Sequence, residues 1–238
     1  MLTITEGIVL KKVAYSHSSA IVTIYTRKFG QTAFMVRGIG KKGGKSALLQ
    51  PLTRISVSFH HREKNSIQTV SDLEVKPGSS YYVHPLKGTI SIFLAEVLFK
   101  ALREESPDEE LYDFLDGALD YFSNDTFSPN FHLVLLIKLT RYFGFYPSGK
   151  WSEDVPYFDM INGKYTSDKN SSLHMIYREL AKVFYEISNK DFNKEATKMN
   201  NPDRRKLLYA IIEYYQIQLE GFGEIKSLPV LVEIFSRD

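Results

Sequence analysis

The sequence predicts an α+β, multidomain chain: a five-stranded β-barrel in residues 1–80, then a mainly α-helical domain in 81–238 with a small β-hairpin insertion at about 150–167. Three observations predict it. Apolar residues alternate with a period of two up to Val75 and with a period of about 3.6 from Leu86 onward. The change falls in Lys76-Pro-Gly-Ser-Ser80, a turn-rich linker. Charge divides at the same place: residues 1–80 hold 12 Lys and Arg against 4 Asp and Glu, and the remainder 18 against 24, so the overall +2 conceals a basic half and an acidic half.

Five runs fit strands: Thr3 to Val13, Ser19 to Thr26, Gln31 to Arg37, Leu52 to Phe59 and Ile67 to Val75, separated by short polar or glycine-bearing turns. Five short strands suit a closed barrel of the oligonucleotide/oligosaccharide-binding (OB) type, whose strand face and flanking loops receive single strands. Strand count alone also fits an SH3-like barrel. Helices follow. Leu86 to Arg103 carries Ile90, Phe93, Leu94, Val97, Leu98 and Ala101 as one apolar stripe. Ser106-Pro107-Asp108-Glu109 supplies a cap, a first-turn proline and acids for a helix over Leu111 to Phe122. Phe131 to Phe143 is apolar almost all round, as in a central buried helix. Further helices fit Leu173 to Ile187, Asp203 to Leu219 and Leu228 to Phe235, and Pro156 to Tyr165 alternates around Asn162-Gly163, a hairpin signal.

Arg37-Gly-Ile-Gly-Lys-Lys-Gly-Gly-Lys-Ser46 places Arg37, Lys41, Lys42 and Lys45 on a glycine-punctuated loop between two strands, an arrangement suited to polyanions. Gly44-Lys45-Ser46 matches the end of a phosphate-binding loop, but that motif needs glycine where Ile39 stands and a helix where Pro51 and a strand follow. Nucleotide hydrolysis is therefore not expected. His60 and His61 are adjacent in a strand and point to opposite faces, and the other histidines stand singly, without metal-site spacing. With no cysteine there are no disulfides and no thiol chemistry, and no enzymatic activity is expected. No apolar run reaches the length of a membrane span and no signal peptide is evident, so a cytoplasmic protein without a membrane partner is expected.

The run Gly7-Ile-Val-Leu10, Thr26-Arg-Lys-Phe-Gly30, Arg37-Gly38 with its basic loop, and Lys45-Ser46-Ala-Leu-Leu-Gln50-Pro51 resembles the N-terminal domain of the RecO family of bacterial recombination mediators. Leu136 to Arg141 with Gly144-Phe-Tyr-Pro147, the Phe158 to Gly163 hairpin, Arg204-Arg-Lys-Leu-Leu208, Gly221 and Lys226-Ser227-Leu228 are similar to its C-terminal part. The resemblance implies an OB-fold followed by a helical domain. It also implies a nucleoid-associated, non-enzymatic DNA repair protein that binds single- and double-stranded DNA and anneals complementary strands. Its implied partners are RecR and the C-terminal tail of single-stranded-DNA-binding protein, and its implied task is to help load recombinase. Many members carry a four-cysteine zinc site near the hairpin; this chain has no cysteine, and packing of Trp151, Tyr157, Phe158 and Tyr165 is expected in its place, without cofactor.

Within that reading, DNA contacts are expected at Arg37, Lys41, Lys42 and Lys45, then at Arg27, Lys28, Lys11 and Lys12. Tyr15, Tyr25, Phe29 and Phe34 could stack on bases, although alternate aromatics in a small barrel are expected to be core. The acidic, aromatic-ended tail needs an apolar slot rimmed by cations, for which Lys138 and Arg141 beside Leu135, Leu139 and Tyr142, or Arg204 and Arg205 beside Leu207 and Leu208, are candidates. Two other classes share parts of the pattern: an RNA-binding OB protein and a structural adaptor that binds no polyanion.

Overall fold

The computed structural model describes residues 2–39, 48–78, 84–102, 107–124, 128–192 and 199–235. Strands β1 (Leu2–Ser16), β2 (Ser19–Thr26), β3 (Gly30–Arg37), β4 (Arg54–His60) and β5 (Ile67–Val75) close into a barrel in the order β1-β2-β3-β5-β4. β1 pairs with both β2 and β4, and β3 joins β5 in parallel. That closure is the OB order, and it removes the SH3-like alternative. Val9, Val22, Ile24, Phe34, Val57 and Phe59 point inward and are fully buried, each contributing about 1.5–3 kcal/mol of transfer free energy. Leu49, from the segment between β3 and β4, enters the same core and plugs the barrel. Gly7 is required where β1 crosses β2, because a Cβ there would lie 2.4 Å from Ile24 Cγ2.

Helices α1 (Pro85–Ala101) and α2 (Glu109–Ser123) belong to the same compact unit as the barrel, which runs to Asn124 and includes Ile225–Leu231. The expected division near residue 80 thus falls at the end of the barrel and inside this unit. The six apolar residues expected to form the stripe of α1 are all buried. α2 begins at Glu109, ahead of the expected Leu111, because Asp108 is the N-cap, accepting from Leu111 N at 2.9 Å; Ser106 lies outside the described residues. At its other end the buried Lys87 ammonium donates to the Ser123 and Asn124 carbonyls at 3.2 and 2.7 Å, satisfying acceptors where the helix dipole is negative. Glu96 of α1 receives Lys226 N, Ser227 N and Ser227 Oγ at 2.6–2.9 Å, which holds the returning segment.

The second unit spans 125–224 and 232–238. It contains α3 (Phe131–Leu139), β6 (Tyr157–Asp159), β7 (Lys164–Thr166), β8 (Met175–Ile176), α4 (Arg178–Ser188) and α5 (Asn201–Gln218); the short α6 (Leu228–Ile234) straddles the two units. As expected, α3 is buried at every residue except Lys138. It ends four residues before the expected Phe143, because Thr140 Oγ1 turns back to Ile137 O at 2.6 Å and Phe145 N closes onto Thr140 O at 3.0 Å. Tyr214 and Tyr215 of α5 donate to Phe145 O and Leu136 O, both at 2.6 Å, pinning α5 to α3 and to the turn that follows it.

The Asn162-Gly163 hairpin forms as β6–β7. A helix from Leu173, in contrast, does not: Met175 and Ile176 pair with β6 as a third strand, Leu173 is 96% exposed, and α4 starts only at Arg178. Sheet pairing with Phe158 and Asp159 overrides the local helical pattern there. α5 is capped by Asn200, whose side chain accepts from Asp203 N at 2.8 Å.

Candidate nucleic-acid interface

The β1–β2 hairpin ends at Ser16 and Ser19, whose hydroxyls meet at 2.6 Å. Ser18 O at its tip accepts from Gly38 N and Ile39 N at 2.7 and 3.1 Å, so the entry to the basic loop is tied to the hairpin. Arg37 sits opposite Ser19, exposed, and engages no acid among the described residues. Lys12 is exposed on the same three strands, across from Val22, which in turn faces Phe34. Lys41, Lys42 and Lys45 lie outside the described residues.

The remaining cations expected at DNA are placed differently. Arg27 bonds Glu109 and Asp113 of α2 at 3.1 and 2.9 Å and approaches Glu6 at 3.8 Å. Desolvation opposes its charge, yet these carboxylates outweigh that and raise its pKa. Lys28 Nζ donates to Ile4 O at 3.3 Å, and Lys11 Nζ lies 4.4 Å from the centre of the Phe99 ring on α1. These three side chains are drawn toward intramolecular partners, unlike Arg37.

Sequence reasoning missed the strongest of these pairings. Arg54, 2% exposed, binds Asp116 at 3.3 Å and also Asp120, and Lys76 binds Asp116 at 2.7 Å. A signal existed, because Glu109, Asp113, Asp116 and Asp120 follow the i, i+4, i+7, i+11 spacing of one helix face. An acidic stripe of that kind asks for cations opposite it.

Of the four aromatics that could stack on bases, Tyr25 and Phe34 are fully buried and Phe29 packs on the core, as expected. Tyr15 departs from that expectation. A register shift between Ala14 and Ser16 makes it an extra residue on the hairpin arm, and it is 67% exposed.

In the second unit the leucines expected to line a tail slot are core: Leu135, Leu139, Leu207 and Leu208 are at most 1% exposed. Arg204 corrects the reading of its motif most plainly. It is buried, bonds Asn130 Oδ1 at 2.8 Å, Asn201 Oδ1 and Met199 O at 3.2 Å, and lies 5.1 Å from the Phe235 ring, whose plane also stacks with His132. Burial, with the Arg204 charge added, lowers the His132 pKa to about 3. Lys138 pairs with Asp191 at 3.2 Å, Arg141 covers Tyr146 at 4.1 Å and remains exposed, and Arg205 is half-buried.

The hairpin region does not fit a zinc ion. The chain has no cysteine, and no group of three His, Asp or Glu that could hold a metal occurs among the described residues. The one deeply buried acid among the described residues, Asp159, already accepts from Ile161 N, Asn162 N, Asn162 Nδ2 and Ser171 Oγ at 2.5–3.1 Å. Burial pushes its pKa up, but these bonds from Ser171 and Asn162 outweigh it and hold the carboxyl far below the usual range. Tyr157, Phe158 and Tyr165 are buried around it, and Lys182 covers Trp151 at 5.1 Å.

A closed OB-type barrel with an exposed basic and aromatic rim, followed by a helical unit with a three-stranded insert, defines the class: a two-part protein of the OB-barrel type. The family models confirm it, with "Recombination protein O N terminal" matching residues 1–78 and "Recombination protein O C terminal" matching 85–154. The chain is 32% identical to a "DNA repair protein RecO" of Christiangramia forsetii over 99% of its length and all of the relative's. It is 33% identical to that of Flavobacterium psychrophilum over 98% of both chains, and 34% identical to that of Bacteroides fragilis over 99% of this chain and all of the relative's. The chain belongs to the RecO family.

Proposed function

We propose that the chain is a non-enzymatic recombination mediator, without cofactor, that binds single- and double-stranded DNA without sequence preference, promotes annealing, and helps load recombinase together with RecR on DNA coated by single-stranded-DNA-binding protein. The observation that carries the reading is the sorting of the barrel's cations. Arg27, Arg54 and Lys76 are neutralised by α2, whereas Arg37 stands exposed at the mouth of the loop with no acid beside it among the described residues. Cations left over after the internal charges are matched are available to phosphates, and the counterions they displace give affinity on any sequence. Family membership supports the repair role, and the helical unit, with Lys138 and Arg141 at the end of α3, is the proposed seat of the tail contact.

The test is binding of single-stranded DNA across a salt series, with and without the tail peptide. Reversing Arg37, Lys41, Lys42 and Lys45 to Glu should weaken binding about tenfold or more at ~50 mM salt and flatten the salt slope, with the fold intact. Unchanged affinity there would remove the loop from the interface.

A further inference from the structure

We propose that the β4–β5 loop carries a pocket for a single nucleotide of an unpaired strand, with Arg62 meeting its phosphate; the inference rests on the DNA-binding reading above. Between the end of β4 and the start of β5 lies a cavity of about 250 Å³ lined by His60, Arg62, Asn65, Gln68, Thr69 and Ser71. Its lining holds a guanidinium, an imidazole, two amides and two hydroxyls, and no carboxylate. Arg62 is exposed and its guanidinium engages no acid among the described residues.

Gln68 gives the pocket its shape. It is 4% exposed and directs its amide wholly at its own loop, Oε1 accepting from Arg62 N at 3.0 Å and Nε2 donating to Arg62 O at 2.9 Å and Asn65 O at 2.8 Å. The loop is therefore ordered before any ligand arrives, which spares a ligand the entropy of ordering it. Ser71 is the residue left over by the register shift between Ser58 and Phe59 against β5, and such bulges re-aim side chains at the rim of a barrel.

Position connects this pocket to the basic rim. Thr69 pairs with Met35, and Arg37 lies two residues further along β3. Strand rise and spacing then put Arg37 about 8 Å from the pocket edge, within reach of the same strand of nucleic acid. A recess of about 250 Å³ argues for an unpaired nucleotide, because a base enters one only when it is out of a duplex stack.

The experiment uses the full chain and two fluorescent probes, a ~20-nucleotide oligo-dT and a duplex of equal length, with affinity measured by anisotropy over a salt series. Arg62→Ala should lower oligo-dT affinity about fivefold and reduce the salt slope by about 0.7, with duplex affinity within about twofold of the parent. Gln68→Ala should also lower oligo-dT affinity but leave the slope unchanged, since it displaces the loop and removes no charge; a fold check by circular dichroism accompanies it. Parent-like binding by Arg62→Ala, with Arg37→Glu weakened, would overturn the pocket and leave the DNA-binding reading standing. Equal loss on both probes would also overturn it, by making Arg62 a general backbone contact. Binding of neither probe by the parent would overturn the reading on which it rests.

Discussion

Two sides of the barrel spend the same residue types in opposite ways. Toward α2, Arg27, Arg54 and Lys76 meet Glu109, Asp113, Asp116 and Asp120, and Arg54 is buried among them. Around the β1–β2 hairpin and the β4–β5 loop, Arg37 and Arg62 face solvent with no acid among the described residues to match them. A cation neutralised in the interior serves the fold, because removing either partner strands the other's charge out of water. A solvated cation costs the fold little and keeps its field for a ligand. Basic composition alone does not separate the two; only the positions of the acids do.

The comparison breaks first at Arg54. Arg54→Ala should destabilise the chain by about 3 kcal/mol, by emptying the space of a buried guanidinium and removing its bonds to Asp116 and Asp120, and denaturant unfolding measures it. A loss no larger than that of Arg37→Ala would mean the two sides do not differ. Arg204 in the second unit sharpens the same contrast against Arg141. Arg204→Ala should cost roughly 2–3 kcal/mol by removing its buried bond to Asn130 and opening the packing on Phe235, whereas Arg141→Ala, exposed over Tyr146, should cost less than about 1 kcal/mol. Comparable unfolding midpoints for these two variants would contradict the assignment of Arg204 to the core.

A smaller effect concerns pH. His132 binds a proton near 6.5 when unfolded but resists it in the folded chain down to about 3. Its contribution is therefore complete above about pH 6.5 and is lost as pH falls toward 3, because the unfolded state takes up the proton first. His132→Phe should flatten the stability profile across that window; a profile of unchanged slope would place the acid sensitivity elsewhere. The smallest effect is expected at Arg27, whose partners are all surface carboxylates: Arg27→Ala should shift the melting temperature by less than about 2 °C at physiological salt. A shift as large as that of Arg54→Ala would show that burial is not what distinguishes the pairs.

Much of the fold was legible because period and punctuation are local. The five strands, the stripe of α1, the all-round apolar α3 and the Asn162-Gly163 turn follow from neighbours in sequence. The misreadings fall where a distant partner decides: Leu173 to Tyr177 has helical spacing, but β6 takes Met175 and Ile176 into a sheet. At the proposed interface, Arg37 could be read from its glycine-rich setting, while Arg62 could not, because its pocket depends on the buried amide of Gln68. Tyr15 was assigned to the core by alternation, and the register shift beside it cancelled the alternation.

The sequence by itself determined most of the strands and helices, that basic residues gather in the first 80 positions, and that no cysteine staples the hairpin. Only the tertiary structure decided which cations are spent. Charge is a property of composition, but whether a guanidinium is available depends on what lies within about 4 Å of it, and for Arg27, Arg54 and Arg204 those neighbours come from residues up to 86 positions away.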